Sequence, residues 1–189
     1  APPFTTSTMQ QEASRKLGFT LKKTMSVAQK LYEGIKIPER GSIGLITYMR
    51  TDSTRISNEA REAARIQIEK QYGKEYYENR FYKTKSDAQD AHEAIRPTYA
   101  DLEPDKIKEA LTSDEYKLYK LIYNRFLASQ MSNAIFNTVS VSINANNYNF
   151  KANGQSLKFN GFMILYVETK DNEKEEKYIM LPELEQNEE

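Results

Sequence analysis

No cysteine occurs in the 189 residues, so disulfides and thiolate chemistry are both excluded, which fits a reducing compartment. No apolar run approaches the length that spans a bilayer, and nothing at the N-terminus has the pattern of a signal peptide. The formal net charge is zero, so bulk electrostatics give no argument for a nucleic-acid partner. There is no internal repeat and no long linker. Histidine occurs once, at His92, and the spacing of Asp87, Asp90, His92 and Glu93 matches no strong metal-ligand template. The first residues are Ala1-Pro2-Pro3-Phe4 rather than an initiator Met and the last are acidic, a pattern expected of an excised fragment.

What is present is ordinary for a globular protein: 39% hydrophobic and 29% charged residues, enough for one large domain or two small ones. The charge is unevenly placed. Residues 1–55 carry nine Lys or Arg against four Asp or Glu, whereas residues 166–189 carry three against nine. A phosphate-binding surface therefore belongs at the N-terminal end, although solvated helix faces account for the same charges.

Local signals divide the chain into helices and then strands. Thr5-Thr6-Ser7-Thr8 supplies capping hydroxyls before a first helix, and Gly18 stops it. Met25, Ala28, Leu31 and Tyr32 recur at helical spacing in a second helix, from about Leu21 to Glu33, closed by Gly34. Residues 35–42, with Pro38 and Gly41, are expected to be an exposed loop. Gly44–Arg50 is apolar, β-branched and aromatic, which predicts a short extended segment. Further helices are predicted from about Ser57 to Tyr72, Ser86 to Ile95 and Ser113 to Met131. Beyond Met131 the hydrophobic period switches to two, Asn146-Asn147 marks a turn, and the segment 162–167 continues the β texture. The resulting expectation is an α+β protein, with a helical domain over residues 1–131 and part of an antiparallel β-rich domain over residues 132–189.

Extended geometry sends alternate side chains to the same side, so Tyr48 and Arg50 would project together. A phenol beside a guanidinium suits phosphoryl transfer: the phenolate oxygen is a nucleophile, and the planar cation grips phosphate oxygens in two places. Free tyrosine titrates near ~10, so the phenol needs a proton acceptor or strong stabilisation of developing charge. Arg50 supplies the second, and nothing nearby in the sequence clearly supplies the first. A tyrosine in an amphipathic strand is also an ordinary packing residue, and the chain has 13 of them. Asp52 has two readings: it orients the Arg50 guanidinium, or it caps the turn before the next helix. Tyr72, Tyr76, Tyr77, Phe81 and Tyr82 alternate with Lys70, Lys74, Arg80, Lys83 and Lys85. That interleaving suits either base stacking or simple packing beneath a charged surface.

Gly44-Leu45-Ile46-Thr47-Tyr48-Met49-Arg50-Thr51-Asp52-Ser53-Thr54 resembles the active-site segment of type IA DNA topoisomerases almost residue for residue. Three further stretches agree with that family in order and approximate spacing: Pro3–Gln11, Lys22-Lys23-Thr24-Met25 and Ala91-His92-Glu93-Ala94-Ile95-Arg96-Pro97-Thr98. Arg125–Met131 is similar to the family's exit from its helical domain. Met49 is more similar to the bacterial topoisomerase I branch than to the topoisomerase III branch, which usually has proline there.

The resemblance implies that Tyr48 is the nucleophile, attacking single-stranded DNA to give a 5′ phosphotyrosine link and a free 3′ hydroxyl. It also implies that Arg50 holds the scissile phosphate and that His92 contacts DNA, with Arg96 sharing the phosphate if both lie on one helical face. Asp52 joins them as a candidate DNA-site residue. The family's Mg²⁺ is expected on acidic residues outside this chain, since no Asp-x-Asp motif in a βα context is present, and none is expected within it. Implied partners are single-stranded DNA and the metal-binding and remaining ring domains of the same polypeptide, with no membrane, in the bacterial cytoplasm on the nucleoid. The chain alone is expected to be inactive. A non-catalytic single-strand-binding module or a hinge module is the competing expectation.

Overall fold

The computed structural model describes residues 1–82 and 92–167. Local chemistry explains where its helices begin. Helix α1 (Thr6–Leu17) starts with a reciprocal capping box between Thr5 and Thr8, and ends at Gly18, whose left-handed backbone (φ 65°) returns its N–H to the last turn. Helix α2 (Leu21–Glu33) is capped by the Thr20 hydroxyl, α3 (Asn58–Gln71) by Ser57, and α4 (Ser113–Ser129) by a second box between Thr112 and Glu115.

Buried faces of these helices make one core. Met9 and Ala13 of α1, Ala28 and Leu31 of α2, Ile68 of α3, and Leu118, Tyr119, Ile122 and Phe126 of α4 are all essentially inaccessible. Helix α2 packs on α4, and α1 packs on both. The segment Leu45, Ile46 and Met49 fills the same core, as does Phe4.

Two antiparallel hairpins complete the α+β architecture among the described residues. The expected loop at 35–42 is instead a small hairpin, β1 (Ile35–Ile37) against β2 (Gly41–Ile43). Its turn uses left-handed backbone at Glu39 (φ 66°) and Gly41 (φ 73°), which reverses the chain in three residues. Period-two patterning after Met131 forms a long hairpin, β3 (Ile135–Ala145) and β4 (Tyr148–Phe159), reversing at Asn146-Asn147. Register places Val139 opposite Gly154, Val141 opposite Ala152 and Ile143 opposite Phe150, so one face is apolar. Ser140 opposite Asn153 and Ser142 opposite Lys151 make the other face polar.

Strand texture does not continue past Phe159. Gly161–Ile164 is a 3₁₀ turn, and the chain then returns to the helical core, where Tyr166 is buried and donates a hydrogen bond to Glu12. Gly161 permits that return, because a Cβ there would lie 2.5 Å from the carbonyl oxygens of Ser132 and Asn133. Most of the helix expected from Ser86 lies outside the described residues. Its described end is not helical: Ile95 forms an antiparallel bridge with Phe4, and long-range backbone pairing displaces local helix propensity.

Candidate active site

The segment after β2 is threaded closely past the end of α2. A Cβ on Gly44 would sit 2.6 Å from the Tyr32 carbonyl oxygen, so only glycine fits, and Leu45 donates its N–H to the Leu31 carbonyl at 2.7 Å. Ile46 then bridges Pro97 in antiparallel fashion, and Thr98 donates to Leu45. The strand expected over 44–50 shrinks to that single bridge, because the backbone bends at Thr47 and again at Met49 and Arg50. Side-chain alternation survives only over residues 47–50. Leu45, Ile46 and Met49 are buried, whereas Tyr48 (44% accessible) and Arg50 face outward.

Two threonines hold this bend. Thr47 donates its hydroxyl to the Ala94 carbonyl at 2.7 Å and its N–H to the Arg96 carbonyl at 2.9 Å, and it accepts the Arg96 N–H at 3.0 Å. Thr6, the first residue of α1, donates its hydroxyl to the Met49 carbonyl at 2.7 Å and accepts the Thr51 N–H at 2.9 Å, while its own N–H reaches the Thr51 carbonyl. Backbone on both sides of Tyr48 is thereby fixed to separate parts of the core.

The tyrosine ring itself meets one aromatic neighbour. Tyr32 lies with its ring centroid 5.5 Å from that of Tyr48 and the planes at 64°, an edge-to-face pair. No group among the described residues hydrogen-bonds the Tyr48 hydroxyl or pairs with the Arg50 guanidinium, so both are available to a ligand.

Asp52 satisfies neither reading of it. Its carboxylate forms no ion pair with Arg50, and the cap of α3 is Ser57, which accepts the Ala60 N–H. Between them, Thr51 and Ser53 hydroxyls accept N–H groups two residues on, closing tight turns without the aspartate.

His92 is exposed, but it does not share a helical face with Arg96, since residues 92–96 are not helical. Arg96 is largely buried, with Nε and Nη2 donating to Glu93 and Nη1 to the Pro97 carbonyl. The other Glu93 oxygen accepts the Ser57 N–H at 2.7 Å. Glu93 therefore ties the start of α3 to the segment that braces Thr47. At the same helix end, the Glu59 carboxyl is held below its ordinary pKa by its own backbone N–H, then by Ser57, with the Arg96 charge adding to both.

The aromatic run is mostly absorbed by packing. Tyr76 packs at a tilt on Phe159, ring centroids 4.7 Å apart, and donates to Asn160, which joins it to the hairpin base, while Tyr82 donates to the Ser129 carbonyl at the end of α4. Phe81 is exposed beneath the Arg61 guanidinium. Among the described residues no three His, Asp or Glu side chains come together in a group that could hold a metal ion.

Sequence reasoning missed Thr6, Tyr32 and Glu93 as parts of the site. Thr6 carried the signature of a helix start and Tyr32 that of a helical apolar face, which hid contacts made across 45 and 16 positions of chain.

A family model described as DNA topoisomerase matches residues 1–189. Among solved structures, full-length topoisomerase I from Thermotoga maritima, in a monoclinic crystal form, is 41% identical with a TM-score of 0.76. The match covers 92% of this chain and 28% of that one, so the chain spans little more than a quarter of that protein's length. With the tyrosine-bearing segment, the helical scaffold and both matches in agreement, the chain belongs to the type IA DNA topoisomerase family, on its bacterial topoisomerase I branch.

Proposed function

We propose that this chain supplies the nucleophile of a type IA DNA topoisomerase and works as the tyrosine-bearing part of a longer polypeptide. Residues 1–131 carry the reaction centre, and residues 132–189 contribute to the β-rich arch. The Tyr48 oxygen attacks a phosphodiester of single-stranded DNA. Its bond to phosphorus forms as the bond to the 3′ oxygen breaks, the phenolic proton leaves to a base, and the 3′ oxygen leaves as a hydroxyl after gaining a proton. Reversing the step reseals the strand. Because the phosphoester energy is kept in the tyrosine link, no ATP is needed to relax negative supercoils after the other strand has passed. Arg50 holds the scissile phosphate and neutralises charge that builds on it.

One observation carries this reading: on the family's active-site segment, a tyrosine hydroxyl and an arginine guanidinium with no hydrogen-bond or ion-pair partner among the described residues stand outward from a bend whose backbone is tied down on both sides. His92 is the further DNA contact from this chain. Arg96, engaged by Glu93, acts through the backbone it supports rather than on phosphate, and Asp52 stands at the exposed rim of the DNA site. The proton acceptor for Tyr48 and the carboxylates for Mg²⁺ come from other domains of the polypeptide. Acting on chromosomal DNA places the parent enzyme in the cytoplasm.

The test is to trap the cleaved complex of the full-length enzyme with denaturant and identify the DNA-bearing peptide by mass spectrometry. The residue found is Tyr48, and Tyr48→Phe abolishes both capture and relaxation. A single-strand-binding module in which Tyr48 only stacks on a base would keep its DNA affinity and its activity after that change. The 189-residue chain alone does not relax plasmid.

A further inference from the structure

A nucleophile with a free hydroxyl still has to be aimed, and its aromatic neighbour is the group placed to do it. We propose that Tyr32 is a positioning residue that fixes the ring of Tyr48 for attack, an inference that rests on Tyr48 being the nucleophile. Tyr48 is nearly half exposed, and its hydroxyl has no hydrogen-bond partner among the described residues. Backbone ties at Thr6 and Thr47 fix where the side chain begins, but they leave both side-chain torsions unconstrained. The Tyr32 ring, 5.5 Å away at 64°, is the aromatic contact that constrains them. The geometry is the one that the opposite polarities of ring edge and face favour.

Tyr32 is not accounted for by the core. It is 40% accessible, although it sits beside the fully buried Leu31 on the last turn of α2. Its main chain is as closely engaged as its ring: the Tyr32 carbonyl fills the space that a Cβ on Gly44 would need, and the adjoining Leu31 carbonyl accepts the Leu45 N–H. The end of α2 and the approach to Tyr48 are therefore held in fixed register, and the edge-to-face contact extends that register to the reacting side chain. Orientation of a reacting atom contributes to rate without contributing to substrate affinity.

The experiment compares Tyr32→Ala, Tyr32→Leu and Tyr32→Phe in the full-length enzyme, with Tyr48→Phe alongside. It measures the single-turnover rate of covalent capture of a single-stranded oligonucleotide, noncovalent affinity for the same oligonucleotide, and the unfolding midpoint. Tyr32→Ala and Tyr32→Leu lower the capture rate about tenfold, with affinity and midpoint unchanged, and Tyr32→Phe keeps the wild-type rate because the ring is retained. A wild-type rate in Tyr32→Ala overturns the proposal and leaves the nucleophile assignment standing. So does a loss in Tyr32→Phe equal to that in Tyr32→Ala, or a fall in rate matched by equal falls in affinity and midpoint. Capture surviving in Tyr48→Phe overturns the assignment itself, and the proposal with it.

Discussion

At the scale of single residues, Tyr48 and Arg50 owe their availability to what lies between and around them. Met49 is fully buried, and its carbonyl is held by Thr6, so the two flanking side chains point outward without either needing a stabilising partner. An arginine that forms no internal ion pair contributes little to folding, and its removal should show in chemistry rather than in stability. Arg50→Ala in the full-length enzyme is expected to lower relaxation by about 10²-fold or more, with an unchanged unfolding midpoint. A plasmid relaxation time course paired with thermal melting checks both. Asp52 presents the opposite case, a carboxylate two residues from the guanidinium that leaves it unpaired.

At the scale of elements, each of the four α-helices among the described residues begins on a Ser or Thr cap. The longest of them, α4, places Leu118, Tyr119, Ile122 and Phe126 in the core, so its start governs much of the packing. Thr112→Ala removes the hydroxyl that receives the Glu115 N–H and should cost about 1 kcal/mol, read as a lowered denaturant midpoint with unchanged slope. These caps, with the glycine stops of α1 and α2, are local chemistry, which is why the described α-helices were legible in the sequence, α2, α3 and α4 to within two residues at each end. The β1–β2 hairpin was not, since strands of three residues depend on each other more than on their own composition. The segment from His92 was misread for a related reason: it pairs with Phe4, Thr47 and Arg55, and none of those contacts has a sequence signal. Tyr48 and Arg50 were legible because the segment around them resembles the family's active-site motif, and because they do project to the same side, with Met49 buried between them. Tyr32, Thr6 and Glu93 were not, because their roles are set by what the fold brings alongside.

At the scale of the whole molecule, the core is unusually rich in phenols. Tyr119 and Tyr123 donate to the Leu102 and Ala100 carbonyls, Tyr166 donates to Glu12, and all three are buried. Burial raises the pKa of each well above its ordinary value, and for Tyr166 the neighbouring Glu12 adds to the effect. An unfolded chain can ionise these phenols from about pH 10 upward, whereas the folded protein cannot. Their contribution to stability is therefore complete below about pH 10 and is lost as pH rises from there toward the folded-state values. Phenolate absorbance should lag for these three tyrosines on alkaline titration and then appear together with unfolding, while the denaturant midpoint stays flat through neutral pH.

Helix α1 has one further consequence. At its start, Thr6 grips the main chain around Tyr48; two turns later, Glu12 receives the hydroxyl of Tyr166, where the chain comes back from the long hairpin. The hairpin's two feet are pinned side by side, with Phe162 donating to Ser132 and Gly161 wedged against the same carbonyls. A load at the far tip, near Asn146, would run down the paired strands to α1 and along it to the main chain on either side of Tyr48.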